Sequence, residues 1–439
     1  MDLRDYLDTL KKEGELVTVR KPVSTKFEIA ALTKQLDGRQ AVLFESVKES
    51  RIRVAANVCG TKKRFAMAIN AKPSSIHERV FDALSKLGKP EIEEGKFREN
   101  ISKDLSTLPI ITHFEKDAGA FITSSIVYAK EQETNSQNAS VHRFLHMDEK
   151  HMAVRMVEGR HLHKCYQYAR EHGEDLKVAV AIGVHPAVII AAAYQAAYGS
   201  DEMEIAASLM QNSFALSRSD SGLMVPSHTE ILLEGRLLKD RFQEEWMVEM
   251  LRTYDHRRKQ PVFELEAIRF RNNAIYHDIL PGYAEHRFLM SMPVEAKVLQ
   301  GVRNVVPTTK QVCLTDGGCN WLHAVIQIRK RLEGESKNAL LAAFASHPSL
   351  KMAIVVDDDI DPANPLAVEY AVATRFQADR DMVIIPNAKG SSLDPSSDQE
   401  NLLTTKVGID ATVPLLKSRE RFEIAKIPGD GKIKLDDYL

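Results

Sequence analysis

From about residue 105 to about residue 280 the chain reads as one strand after another, with little helix between them. LPIIT, FITSSIVYAKE, VHRFLH, MAVRMV and VAVAIGV are short apolar or alternating runs, and 225–237, 261–271 and 273–280 continue the series. The main helical interruptions expected are one in the second half of the broken apolar run VAVAIGVHPAVIIAAA, read as a buried strand followed by a helix, and one over 202–216. Many strands with few crossovers bury their apolar faces by closing into a barrel or a curled sheet.

The flanks differ from this centre. Residues 2–13 place Leu3, Tyr6, Leu7 and Leu10 on one helical face, closed by Gly14, and are followed by a strand at 15–19 and a helix at 26–36. AVLFES and RVAANV read as paired strands, and 74–87 as a capped helix. This is an α/β unit without a phosphate loop or GxGxxG signature. From about residue 306 strands and helices alternate again: QVCLTD, a helix near 337–346, MAIVVDDDI, a helix at 365–375 and DMVIIPN. The tail from about residue 410 is rich in charge, Pro and Gly, as a segment wrapping a neighbouring subunit would be. The expected class is therefore α/β (α+β): an N-terminal α/β domain at 1–104, a split-barrel-like domain at 105–305 and a C-terminal α/β oligomerisation domain at 306–439.

Chemistry concentrates in 138–164, which holds five of the 15 histidines and three arginines. Asn138, Ser140 and His142 alternate with Ala139 and Val141, and His161 and His163 flank Leu162 in the same way. Two strands, about 135–145 and 151–158, joined by MDEKH account for most of this pattern. A strand polar on one face can line a cavity. Asn and His are metal ligands, and Arg offers a planar fork for carboxylate or phosphate. A solvated histidine cluster without chemistry has the same composition.

Other classes are disfavoured. A net charge of −2 gives no pull toward nucleic acid or anionic membrane. Four cysteines without CxxC spacing fit neither a disulfide framework nor a structural zinc site, and suit the reducing cytoplasm. The opening MDLRDYLDTLKKEGEL has the charge spacing of a helix, not of a leader peptide, and no apolar run reaches the ~18 residues of a membrane span.

In matching order along nearly the whole chain, these residues resemble the UbiD family of reversible decarboxylases. The motifs are Asn138…Arg143, Arg155…Arg160-His161, Asp201-Glu202…Ala206, Val225-Pro226…Glu230-Ile231…Glu234-Gly235 and Glu244…Glu249, with VVDDDID, TRFQADRD, SSLDPSS and KVGIDAT further on. The resemblance implies prenylated FMN as the cofactor. Breaking a C–CO2 bond at an sp2 carbon leaves a carbanion with no electron sink, which no side chain can supply. It further implies a divalent metal, usually Mn2+, on Asn138, His161 and Glu202, a ligand set suited to a hard or borderline ion; K+ is a further ion of the family's sites.

By the same resemblance Arg143 holds the substrate carboxylate and pairs with Glu244, and Glu249 is the proton donor. Ser140, Val141, His142, Arg143, Arg155, Met156, Val157, Arg160, His161 and Lys406 are the implied cofactor contacts. Implied partners are an unsaturated carboxylic acid as substrate, a flavin prenyltransferase as cofactor supplier and further copies of the chain in a homodimer or higher homo-oligomer. In size the chain is nearest the archaeal-type members acting on trans-anhydromevalonate 5-phosphate to give isopentenyl phosphate. An aromatic or polyprenyl-hydroxybenzoate acid is the alternative within the family. A non-catalytic flavin-binding scaffold and a metal hydrolase are the alternatives outside it, the latter lacking an HExxH signature. One departure stands out: the family's E-G-P-F-x-D/E is here Glu244-Glu245-Trp246-Met247-Val248-Glu249. Without Gly-Pro the turn is expected to be more helical, and either Glu244 or Glu245 could face Arg143. The aspartates of VVDDDID are expected to mark a strand end rather than a metal site.

Overall fold

The computed structural model describes residues 1–131, 134, 136–194, 200–429 and 432–439. They divide into two compact units, Met1–Ala296 and Lys297–Leu439.

The first unit is built on a closed six-stranded barrel. Its strands run, in spatial order, Ile231–Glu245, Leu176–Ile182, Phe121–Lys130, Gln137–His146, His151–Val154 and Arg258–Phe270, and the last pairs with the first to close the ring. Closure leaves the ring no free edge. The corner where the first and last strands meet is made at Gly235, where the register slips between Glu234 and Gly235. A Cβ at Gly235 would lie 2.2 Å from the Glu264 carbonyl oxygen, so only glycine lets the two backbones approach there. The core at this end includes Val127, Phe144, Val180, Leu233 and Phe263, with Phe144 and Phe263 edge to face at 5.7 Å.

A second, four-stranded sheet of Leu16–Val19, Ala41–Phe44, Arg53–Ala56 and Ile275–Asp278 belongs to the same unit. Its last strand comes from beyond the barrel, and Asn100–Ser102 joins the barrel strand Arg258–Phe270. Residues 1–104 and the barrel are thus interlaced by strand exchange, where sequence reading separated them at 104. The opening helix, Leu3–Lys12, is as expected. Asp2 caps it through the Asp5 N–H, and Leu3, Tyr6, Leu7 and Leu10 are its buried face.

The second unit carries a mixed five-stranded sheet in the order Thr309–Leu314, His323–Ile328, Met352–Asp357, Leu403–Ala411, Met382–Lys389. The three central strands are parallel and both edges antiparallel. Helices Glu335–Ser346 and Pro365–Arg375 supply the α/β rhythm read from sequence. The aspartate run does end a strand: Arg375 bonds Asp357 at 3.0 Å and Asp359 at 2.7 Å.

Candidate active site

The strand Gln137–His146 is hydrogen-bonded on both sides, yet residues 140–143 are all partly exposed while their neighbours at 138–139 and 144–145 are buried. A partly open stretch in mid-sheet is a place where a ligand can be seated. Alternation places Asn138, Ser140 and His142 on one face and Arg143 on the other.

On the Asn138 face, residues far apart in sequence converge. The Asn138 amide lies 3.3 Å from both His161 Nδ1 and Glu202 Oε1, and Glu202 Oε2 accepts the Ala139 N–H at 2.9 Å. His161 and Glu202 reach it because each opens a helix, His161–Glu171 and Glu202–Leu209. The His161–Leu162–His163 alternation therefore belongs to a helix start and not to a two-residue period, a correction with a simple cause. Three residues cannot distinguish periods of 2 and 3.6, and only the downstream buried face (Leu162, Cys165, Tyr166, Ala169) does.

Sequence reading missed a fourth member, Glu131. It is 1 % exposed, with Oε1 3.7 Å from His161 Nδ1 and no hydrogen bond to that oxygen among the described residues. Its other oxygen takes the Thr134 and Ser136 hydroxyls, each at 2.9 Å. Burial, with the nearby Asp201 and Glu131 charges, pushes Glu202 up to about 8 against the hydrogen bonds it accepts. Two buried acids beside an imidazole and an amide form an electron-rich pocket that a cation would relieve. Among the described residues no group of three or more His, Cys, Asp or Glu side chains could hold an ion unaided, so an ion here depends on the Asn138 amide.

On the opposite face Arg143 is surrounded by carboxylates. Its Nε donates to Glu245 Oε1 at 2.5 Å and Nη2 to Glu245 Oε2 at 3.2 Å; Nη1 donates to Glu249, and Nη2 reaches Asp255 at 3.4 Å. These acids hold the guanidinium's pKa above its ordinary value despite its burial. The partner is Glu245, not Glu244. The strand Ile231–Glu245 continues to this point, so successive side chains alternate, burying Glu245 and leaving Glu244 in solvent. The expected Arg143–Glu244 pair is therefore not formed.

Glu249 is brought back to Arg143 by a turn, not a helix. Its N–H donates to the Thr253 carbonyl at 2.9 Å and its own carbonyl accepts from the Arg252 N–H at 2.8 Å, with Arg252 at φ 63°. Val248 bridges Tyr254, and the Asp117 carboxylate takes the Val248 N–H at 3.1 Å. The left-handed Arg252 closes the turn that follows Glu249 and holds Glu249 in place.

Asp255 links this cluster to two more cations. Burial works against its ionisation, but the Arg258 hydrogen bond and the charges of Arg143, Arg258 and Arg155 outweigh it and lower its pKa. Arg155 Nε stands 3.8 Å from Asp255, and the Arg155 carbonyl faces His142 Nδ1 at 2.9 Å. Met156 is buried and its N–H donates to Gln260, while Val157 and Arg160 are exposed before the His161 helix. His286 was not anticipated. It is held by the Gly282 N–H on Nδ1 at 3.0 Å, and burial lowers its pKa beside the charges of Glu249 and Arg143. No local pattern marks it, because it comes from the long helix Ala284–Val305. Lys406 is in the second unit, where its Nζ donates to the Pro348 and Leu350 carbonyls, each at 2.6 Å. Those bonds engage two of the three ammonium hydrogens.

Three family profiles cover most of the chain: the 3-octaprenyl-4-hydroxybenzoate carboxy-lyase N-terminal domain at residues 7–84, the Rift-related domain at 87–284 and the C-terminal domain at 287–411. The chain is 45 % identical to an anhydromevalonate phosphate decarboxylase of Methanocaldococcus jannaschii over 92 % of its own length and 95 % of the relative's. It is 40 % identical to the enzyme of the same name from Methanothermobacter thermautotrophicus, over 96 % and 99 %. Among solved structures, HmfF from Pelotomaculum thermopropionicum in complex with FMN, a UbiD-class enzyme, superposes with a TM-score of 0.96 at 40 % identity, covering both chains fully.

Proposed function

Because the chain belongs to the UbiD family of carboxy-lyases and is a non-oxidative decarboxylase, we propose that its substrate is a phosphorylated α,β-unsaturated acid, trans-anhydromevalonate 5-phosphate, converted to isopentenyl phosphate. Supporting this choice are the two archaeal relatives bearing that activity in their names, matched over nearly the full chain. An aromatic acid is the alternative, and the two are separated by turnover on each.

The observation that carries the chemical reading is Arg143 ringed by Glu245, Glu249 and Asp255 beside an open stretch of strand. Prenylated FMN fits that stretch. Residues 140–143 are open in mid-sheet, and Arg155 supplies a cation whose nearest carboxylate stands as far as 3.8 Å away. Ser140, Val141, His142, Arg143, Arg155 and Met156 would hold the cofactor, with Val157 and Arg160 at the rim. When bound it supplies the electron sink that the departing CO2 requires. Mn2+ fits Asn138, His161 and Glu202, with Glu131 behind His161.

The protein's own part is binding and proton transfer. Arg143 binds the substrate carboxylate. Glu245, fully buried and doubly bonded to Arg143, fixes the guanidinium plane. Glu249 shares only one edge of Arg143 and is the more exposed of the two. A substrate carboxylate taking that edge of Arg143 leaves Glu249 facing the substrate, as the general acid that protonates the carbon from which CO2 has left. Exposed apolar side chains of the second unit, Leu416, Ile427 and Leu439 among them, support self-association. Among the described residues no helix is long and apolar enough to cross a membrane.

The test is turnover of the phosphorylated acid by protein co-expressed with a flavin prenyltransferase, with the released cofactor identified by mass spectrometry. A colourless protein, or a loaded one inert on this acid but active on an aromatic one, sinks the corresponding half of the proposal.

A further inference from the structure

Asn138, Ser140 and His142 form a continuous hydrogen-bonded row along one face of their strand. An Asn138 amide atom lies 2.9 Å from Ser140 Oγ, Ser140 Oγ lies 2.9 Å from His142 Nε2, and His142 Nδ1 lies 2.9 Å from the Arg155 carbonyl oxygen. The row is anchored at one end by a group that can only accept. His142 Nδ1 must therefore carry a hydrogen and donate to Arg155.

The polarity of the row depends on the imidazole being neutral. Burial pushes His142 down to about 4, with the Arg155 charge adding to it and the Arg155 carbonyl opposing. A neutral ring with hydrogen on Nδ1 has a bare Nε2, which accepts the Ser140 hydroxyl hydrogen. That hydroxyl has no second hydrogen, so it must accept from Asn138, whose nitrogen then faces Ser140. The amide oxygen is left facing the other way, at the position 3.3 Å from Glu202 and from His161 Nδ1. The opposite polarity needs a doubly protonated His142, because Ser140 would then donate to the amide oxygen and leave Nε2 to donate as well. Nitrogen and oxygen of an amide occupy nearly the same positions, so the hydrogen-bond chain and not the shape of the site chooses between them.

We propose that His142 is the positioning residue of the cation site: anchored on the Arg155 carbonyl, it sets the direction of the Ser140 hydroxyl and so turns the Asn138 amide oxygen toward Glu202 and His161. The proposal rests on the reading of that trio as a divalent-metal site. An amide oxygen turned toward Glu202 and His161 Nδ1 adds a third ligand atom to the two that a divalent cation would take from those residues, so the row prepares the site for metal. His142 touches neither ion nor substrate in this role.

The test is Mn2+ binding by metal-stripped full-length protein co-expressed with a flavin prenyltransferase, with free Mn2+ followed by electron paramagnetic resonance. His142→Phe keeps a ring of similar shape but cannot direct the row, and Ser140→Ala cuts it. Each is expected to bind Mn2+ about 10–100-fold more weakly, the usual effect of losing an outer-shell partner, and the double variant no more weakly than either. His142→Gln can accept from Ser140 with its oxygen and donate to Arg155 with its nitrogen, and is expected to stay within about threefold of wild type, a small part of that range. A role in packing alone gives the reverse order, with Phe tight and Gln weak, and overturns the proposal, as do additive losses. If His142→Phe does not fold, unchanged Mn2+ affinity in folded Ser140→Ala overturns it. Wild-type protein that takes up no Mn2+ overturns the metal reading itself, and this inference with it.

Discussion

Replacing Glu244, Glu245 and Glu249 one at a time by Gln separates three environments within six residues. Glu245 is fully buried and grips Arg143 through bonds of 2.5 and 3.2 Å. Breaking a buried ion pair costs roughly 3–5 kcal/mol when the remaining charge is stranded. Arg143 keeps Glu249 and Asp255, and Gln can still accept one bond, so a loss of about 2 kcal/mol is expected for Glu245→Gln. At ~2–4 °C per kcal/mol for a large domain, the midpoint of thermal unfolding should fall by roughly 4–8 °C. Glu249 has one bond to Arg143 and an 18 % exposed side chain, so Glu249→Gln should barely move stability. Its cost falls on turnover: losing the general acid should lower kcat by at least ~100-fold, or about 2.7 kcal/mol of barrier, with KM and the flavin spectrum little changed. Glu244→Gln, in solvent, should stay within about 0.5 kcal/mol in stability and keep its activity. The assays are CO2 release and thermal unfolding on the same preparations. A Glu249→Gln enzyme keeping more than about a tenth of its kcat, against the ~100-fold expected, would refute its role. Equal damage from Glu244→Gln and Glu245→Gln would refute the assignment by strand alternation.

Arg143→Ala should raise KM as well as lower kcat, because it removes the carboxylate anchor along with the partner of Glu245; a pure kcat effect would move substrate binding elsewhere. Glu131→Gln should weaken Mn2+ binding by about tenfold or more if its carboxylate orients His161, and an unchanged titration would make Glu131 a bystander. His185 caps the helix Pro186–Ala193 by accepting the Ala187 N–H, and burial holds it down to about 3, against 6.5 when unfolded. The unfolded chain therefore binds this proton first, so stability is full above pH 6.5 and declines as pH falls toward 3, by about 2 kcal/mol at pH 5. His185→Asn keeps the cap without the titration and should flatten that decline in denaturant midpoints between pH 7 and 5; an unchanged slope would assign the acid lability to other groups.

Local periodicity was enough to locate most strands and helices, since burial on one face of an element repeats within a few residues. Leu3, Tyr6, Leu7 and Leu10 announced their helix this way, and the alternation of strands and helices after residue 306 announced the α/β sheet of the second unit. The resemblance to the family's motifs also pointed to Asn138, His161 and Glu202 before any geometry, and His161 and Glu202 do lie 3.3 Å from the Asn138 amide. Tertiary structure alone decided what depends on contacts distant along the chain. Whether Glu244 or Glu245 faces inward turned on how far the strand after Ile231 extends. Its last residues, KDRFQEE, are polar apart from Phe242 and carry no apolar alternation of their own; the pairing of Glu245 with Arg258 across the barrel's closing seam sets the phase. Glu131 and His286 joined the site only through folding, since an isolated acid or histidine looks the same in sequence whether its neighbour is water or an ion ligand. Lys406 shows the converse: a lysine in a suggestive motif is committed by its fold to two carbonyls. A one-residue change of register reverses every face of a strand, and only the long-range partners that fix the register say which side of this chain holds its chemistry.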